Sequence, residues 1–164
     1  MGLDLFIEAK ITEKKTGRVI SMDYDFSEDN YIEICYWCSW SFEYIRDGLI
    51  EIANKYSGNK YTNKDFEIPL PENALHEIYG YLLENSFVPE NEYKWSDSMS
   101  REISNVENAC KLRHFIWGLE CIRHDNPVFV LNEIEKYIPD ENDWKNLKAN
   151  PLDFEWDFRI ANSY

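Results

Sequence analysis

The clearest candidate for chemistry in this sequence is the pair Cys35 and Cys38, which Tyr36 and Trp37 separate. Two cysteines at this spacing are typical of redox dithiols, in which a helix N-terminus lowers the pKa of one thiol. The pair falls between a predicted strand and a predicted helix, which is the context that such a site needs. Both spacer residues are bulky aromatics, however, and the preceding segments predict an antiparallel hairpin. Buried structural cysteines are therefore the favoured interpretation.

A zinc site is a second possible use of the same cysteines. Cys110 and His114 are four residues apart, which places them on one face of a predicted helix, and they could join Cys35 and Cys38 as ligands. No second Cys-x-x-Cys accompanies them, so core cysteines and an ordinary histidine are the simpler interpretation. We predict no cofactor, and we keep a small thiol-redox or zinc-dependent enzyme centred on Cys35 and Cys38 as the alternative.

Acidic side chains form a more regular pattern, at every second position of predicted strands and just before the last strand. They are Asp153, Glu155 and Asp157, then Asp23 and Asp25, then Asp140, Glu141 and Asp143. Alternate residues of a strand share a face at steps of about 6.7 Å. Neighbouring strands would then present a regular negative array, and DNA offers proteins one charge per about 3.4 Å of each strand. The array predicts a nucleic-acid mimic; the alternative is a solvated polar face of a half-buried sheet.

The chain as a whole is acidic, with 31 Asp and Glu against 17 Lys and Arg and a net charge of −14 over 164 residues. Such a surface repels nucleic acid and anionic membranes and attracts basic protein surfaces. Tyr93, Trp95 and Trp144 are expected exposed anchors, because Tyr and Trp dominate interface hot spots. We predict a non-enzymatic inhibitor that docks on the basic surface of a protein partner, in particular a nucleic-acid-binding protein, and that binds neither nucleic acid nor membrane itself.

We find neither a transmembrane segment nor a signal peptide in the sequence. No stretch approaches 18 apolar residues, and the opening MGLDLF lacks the basic and apolar regions of a signal peptide. Four cysteines are too few for a disulfide scaffold at this length. We therefore expect a cytoplasmic protein with reduced thiols.

The elements that must position these residues centre on residues 31–56. Tyr31 to about Trp37 predicts a buried strand, and 41–56 predicts an amphipathic helix with apolar residues at three- and four-residue steps. Alternation predicts strands at 3–11 and 18–26, which form a meander with 31–37, and at 153–161. Further helices are predicted at about 71–85, 98–123 and 128–137 (or a strand at 128–131), and loops at 57–70, 86–97 and 139–151. The fold prediction is one α+β domain over 1–164: an antiparallel sheet of about four strands, the N-terminal meander plus the C-terminal strand, with three or four helices packed on one face.

The opening residues Met1-Gly2-Leu3-Asp4, together with Tyr36-Trp37 before a helix, resemble a loose group of small uncharacterised bacterial and phage proteins. The resemblance covers about the first third of the chain. It ends after Trp37, where Cys38-Ser39-Trp40 stands in place of basic residues, so no functional residue is transferred. A phage-related origin implies an anti-CRISPR-like inhibitor of a host defence complex, by analogy. An immunity or toxin-partner protein is a further alternative.

Overall fold

A computed structural model of the chain describes residues 4–20, 30–37, 43–61, 66–85, 105–113, 115–117, 135 and 138–163. Within them, four strands form one antiparallel sheet in the order β2-β1-β4-β3. The strands are β1 (Asp4–Glu13), β2 (Ile32–Trp37), β3 (Glu67–Leu70) and β4 (Phe154–Ser163). This sheet, together with the helices below, confirms the predicted α+β class.

The helices supply the other layer of the fold. They are α1 (Glu43–Ser57), α2 (Glu72–Glu84), α3 (105–113, with 115–117 also helical) and α4 (Glu141–Ala149). Their buried apolar side chains belong to the same core cluster as those of the sheet. Among the described residues, no helix combines the length and apolar character that a membrane span requires.

The long central strands β1 and β4 pair along their whole length, from Asp4 opposite Ser163 to Glu13 opposite Phe154. Alternate side chains of β1 are fully buried, namely those of Leu5, Ile7, Ala9 and Ile11. Phe154, Phe158 and Ile160 of β4 are buried on the same face. The period-2 alternation of both segments therefore predicted the core face correctly, because successive residues of a strand point to opposite faces.

The other edge of the sheet differs in detail from the predicted meander. β2 pairs directly with β1, with Leu5 opposite Trp37. The segment predicted as a strand at 18–26 is described only at its start, where Val19 forms an isolated bridge with Thr12. Residues 21–29 lie outside the described residues.

Helices α1 and α2 pack closely against each other. Gly48 of α1 lies against the ring of Tyr81 of α2. At the other end of α1, Lys55 forms an ion pair with Glu77 at 2.9 Å, and the Tyr56 hydroxyl donates to the same carboxylate at 2.6 Å. The predicted apolar stripe of α2 is confirmed, since its buried residues are Ala74, Leu75, Ile78 and Leu82.

Two buried asparagines attach α3 to β2. The indole N–H of Trp37 donates to Asn105 Oδ1 at 3.1 Å, and Asn108 Nδ2 donates to the carbonyl of Tyr36 at 2.9 Å. Buried polar groups need such partners, so these bonds fix how α3 lies on the sheet. The helix predicted at 98–123 is helical where it is described. The element predicted at 128–137 lies outside the described residues, apart from Glu135.

Two predicted loops contain regular structure. The loop at 57–70 ends in β3, whose Ile68 and Leu70 are buried. Its four residues are too short for periodicity to reveal, and Pro69 argues against a central strand but suits an edge. The segment 139–151 was also wrongly predicted as a loop. It is α4, in which the Asp140 side chain accepts from the N–H groups of Asn142 and Asp143, a cap that offsets the polar composition of the helix.

Candidate functional site

The acidic row of the last strand lies as predicted on the face of the sheet opposite the core. Glu155 and Asp157 are exposed, and Asp153 is exposed in the 3-10 turn (Pro151–Asp153) just before β4. The residues opposite this acidic row on β1, however, are not all acidic. Asp157 faces Lys10 across β1, and Glu155 faces Thr12. The row is therefore not an unbroken negative array.

Further along β4, the charges of this face are paired. Arg159 Nε lies 2.6 Å from Glu8, and its Nη1 lies 3.1 Å from Glu67. Its guanidinium also stacks 3.6 Å from the centroid of the Tyr31 ring. Burial lowers the pKa of Arg159, but the hydrogen bond and the charges of the two glutamates outweigh burial and raise it. Arg159 thus fixes the inner part of the face.

Glu155 and Asp157 differ from this paired region. Neither forms an ion pair or a side-chain hydrogen bond within the part of the chain that the structure describes. Lys10, across the sheet from Asp157, instead holds its ammonium 5.2 Å from the centroid of the Tyr31 ring. These two carboxylates therefore differ from Arg159 and Glu8, which pair with each other.

The acids that precede the last strand serve the structure of α4. Asp143 is buried, and its carboxylate accepts from both terminal nitrogens of Arg18 at 2.5 and 3.0 Å. The hydrogen bond from Arg18 holds the pKa of Asp143 below its usual range. Glu141 pairs with Lys145 at 2.8 Å. The Arg18 side chain of this pair is half-exposed, while Asp143 itself is buried and is not the free surface acid that we expected. A contact between Asp143 and a partner stays a prediction.

Trp144 also corrects a prediction. Its side chain is 3 % exposed, on the face of α4 that packs into the core, so it is not a surface anchor. Asp140 and Glu141 are exposed, but Asp140 caps the helix. The predicted site residues Asp23, Asp25, Tyr93, Trp95, Cys38 and His114 lie outside the described residues.

Cys35 has the properties of a core residue. It is fully buried, its thiol donates to the carbonyl of Asn108 at 3.6 Å, and burial raises its pKa far above the usual value. A redox or metal-binding thiol needs the opposite shift, because the thiolate is the reactive form. Cys110 is exposed and free. No group of three or more His, Cys, Asp or Glu side chains among the described residues could hold a metal.

A concavity that was not predicted lies at the edge of the sheet beside β4. It is a groove of about 1050 Å³ along β4. β3 pairs only with the Phe158–Ala161 part of β4, because Pro71 follows Leu70 and the chain turns into α2. β4 continues from Phe154 to Asp157 without a described strand on that side. We call this stretch of β4, with the groove beside it, the edge notch.

The hydrogen-bonding direction of β4 can be read from its two neighbours. Lys14 N–H donates to the carbonyl of Asp153 at 2.9 Å, so every second residue from Asp153 directs its main chain toward β1. On the other side, Asn162 N–H donates to the carbonyl of Phe66 at 3.3 Å. The same alternation directs the N–H and C=O of Trp156 into the edge notch, where the described residues supply no strand partner.

The walls of the edge notch are aromatic, proline-rich and charged. The apolar and aromatic residues include Tyr31, Tyr56, Tyr61, Leu70, Pro71, Pro151 and Leu152. The charged residues are the cations Lys10, Lys14, Lys60 and Arg159 and the anions Glu67, Glu72, Glu155 and Asp157, so the acidic charge is local to single positions of the groove. A concave site with apolar walls and a few oriented polar groups is the usual form of a binding site. The one sequence signal for it was the pair Pro69 and Pro71, since a proline pair ends a strand early and leaves its neighbour uncovered. No protein-family model, curated protein or solved structure matches the chain.

Proposed function

We propose that this chain is a non-enzymatic binding protein that docks on a basic surface of a protein partner. The observation that carries the proposal is the pair of exposed carboxylates Glu155 and Asp157, which form no ion pair within the described residues and lie beside a groove of about 1050 Å³ at the edge of the sheet. The net charge of −14 supports it, because the field of the whole chain steers basic partners toward such a site.

The class of partner follows from the same charges. A basic nucleic-acid-binding protein is the partner that the chain's acidity favours, and an inhibitor of such a protein would act by covering its basic surface. Strict mimicry of a phosphate backbone is less well supported on the described face, because Lys10 and Arg159 interrupt the acidic row. We therefore propose recognition by a few placed carboxylates rather than by a continuous charge array.

The test is capture of a partner from nuclease-treated lysate, compared between matched variants. We expect a captured basic protein to be lost when ionic strength rises from roughly 0.1 to 1 M, because the Debye length falls from about 10 to 3 Å. The double variant Glu155→Gln/Asp157→Asn should lose the partner at low salt. The control Asp47→Asn/Glu51→Gln changes the same two residue types on the exposed side of α1 and should retain it.

Two results would overturn the proposal. One is equal capture by the wild type and by the Glu155→Gln/Asp157→Asn variant, since the carrying observation would then be irrelevant. The other is binding that survives about 1 M salt unchanged, since exposed charges are largely screened there.

A further inference from the structure

The edge notch offers a partner more than charge. Trp156 presents an N–H and a C=O toward the side of β4 where β3 has ended, and the open stretch from Phe154 to Asp157 spans about 13 Å at the usual strand rise. An exposed edge of this kind is a template for an added strand, in which main-chain hydrogen bonds give affinity and alternate side chains give specificity.

We propose that the edge notch binds an extended segment of the partner as an added β-strand, with the side-chain pattern basic–apolar–basic. This inference rests on the proposed function and names the part of the partner that the site takes. The pattern follows from the register of the open strand.

The two basic positions follow from the outward face. The partner residue opposite Trp156 exchanges main-chain hydrogen bonds with it, so the residues before and after it lie opposite Glu155 and Asp157. Their side chains point to the same face as these two carboxylates, at the short spacing of a non-hydrogen-bonded pair. Opposite charges at such cross-strand positions stabilise the pairing and like charges destabilise it. Lys or Arg is therefore favoured at both positions.

The apolar position follows from the core side of the groove. The side chain of the central partner residue points to the face that holds the Trp156 ring, which packs edge-on to Phe115 at 6.4 Å between centroids. Leu70 and Tyr56 line the groove on this side. These walls favour an apolar side chain, because burial of apolar area is favourable and a charge there would lose its hydration.

A second copy of this chain is a poor occupant of the edge notch. Antiparallel pairing of two β4 edges about Trp156 would set Glu155 of one copy against Asp157 of the other, and the reverse. Two like-charge pairs directly opposite each other oppose such a dimer. We therefore expect a monomer at the protein concentrations of the binding assay.

The test uses the purified full chain and three labelled nine-residue peptides with identical flanks, followed by fluorescence anisotropy at low salt. Their central residues are Lys-Val-Lys, Glu-Val-Glu, and Lys-Val-Lys with the valine amide methylated. We expect the first to bind and the second to bind at least about tenfold more weakly. The methylated peptide keeps every charge but loses the central N–H, so it should also bind at least about tenfold more weakly.

Hydrogen exchange gives the second readout. Saturating Lys-Val-Lys peptide should slow exchange of the Trp156 amide, and it should leave the exposed helix residue Glu51 unchanged. Methylated peptide that binds as tightly as its parent would overturn strand addition, while loss of partner capture by Glu155→Gln/Asp157→Asn would still uphold charge-based docking. No binding of the Lys-Val-Lys peptide, or a dimer in sedimentation that blocks it, also overturns the inference, and the lysate experiment then judges the proposed function separately.

Discussion

The contact between Gly48 of α1 and Tyr81 of α2 yields a sharp prediction for stability. A Cβ atom built on Gly48 would lie 2.1 Å from the Tyr81 hydroxyl oxygen and 2.2 Å from ring carbon Cζ. Both distances are far inside van der Waals contact, so Gly48→Ala must displace the ring or separate the helices. Gly80, inside α2, is the matched control, since nothing lies within 4 Å of its Cβ position.

The expected magnitudes come from two opposing effects. Alanine in place of glycine in a helix interior contributes about 1 kcal/mol of stability. Gly80→Ala should gain about that amount. Gly48→Ala gains the same term but incurs the cost of overpacking, typically about 1–3 kcal/mol. The two variants should therefore differ by roughly 1–3 kcal/mol in the free energy of unfolding, although they make the same chemical change.

Urea unfolding followed by circular dichroism measures the difference. Removal of the ring in Tyr81→Ala should convert Gly48→Ala from destabilising to neutral or stabilising, because the clash then has no partner. This coupling identifies the contact as the cause. Equal effects of Gly48→Ala and Gly80→Ala, or no coupling to Tyr81, would refute the described approach of the two helices.

Three further predictions test the charged and thiol groups. The pKa of Asp143 is lowered in the folded state, so its pair with Arg18 stabilises the fold above the unfolded-state pKa of about 3.9 and loses that effect as pH falls through the lower folded-state value. The difference in the free energy of unfolding between wild type and Asp143→Asn should therefore shrink on acidification. A difference that does not change with pH would contradict this prediction. Cys110 should be alkylated in the native state and Cys35 only after unfolding, as site-resolved mass spectrometry can show; native labelling of Cys35 would refute its burial. Arg159→Met should cost about 1–3 kcal/mol in urea unfolding, because it leaves the part-buried Glu8 carboxylate without its partner. A cost below about 1 kcal/mol would show that the pair is solvated.

The core face of the fold could be predicted because its signals are long. β1 alternates over residues 4–12 and β4 over residues 154–160, and α2 repeats apolar residues over three turns. Patterns of this length exceed what chance alternation gives in loops. The helix α4 escaped prediction because its nine residues bury only Asp143, Trp144 and Leu147. Asp140 is the clearest sequence signal for this helix, because Asp is a favoured N-cap residue. Within a polar segment, however, a capping Asp cannot be distinguished from an ordinary surface Asp until the helix is known.

The site was harder to predict because sequence spacing does not show partners across space. The sequence pattern predicted Asp143 as a surface acid, but Arg18, 125 residues away in the chain, donates hydrogen bonds to both of its carboxylate oxygens. Trp144 read as an anchor, yet the cap at Asp140 fixes a helix phase that turns the indole inward. The edge notch depends on where β3 stops relative to β4, and that register is set by long-range pairing. Only the exposure of Glu155 and Asp157 followed directly from alternation.

Glu155 and Asp157 have opposite effects on acidic and on basic segments that could pair with the exposed edge of β4. Folded proteins protect exposed strand edges with charge, because an uncovered edge pairs readily with another copy. Glu155 and Asp157 flank Trp156, whose main chain faces the edge notch, so self-pairing about Trp156 would bring carboxylates together. A basic segment meets no such penalty. Bulky neutral side chains or proline at a strand edge would oppose the addition of any strand. Two carboxylates oppose the addition of acidic strands only and favour basic ones. Protection from aggregation and selection of a basic partner are therefore consequences of the same pair of side chains.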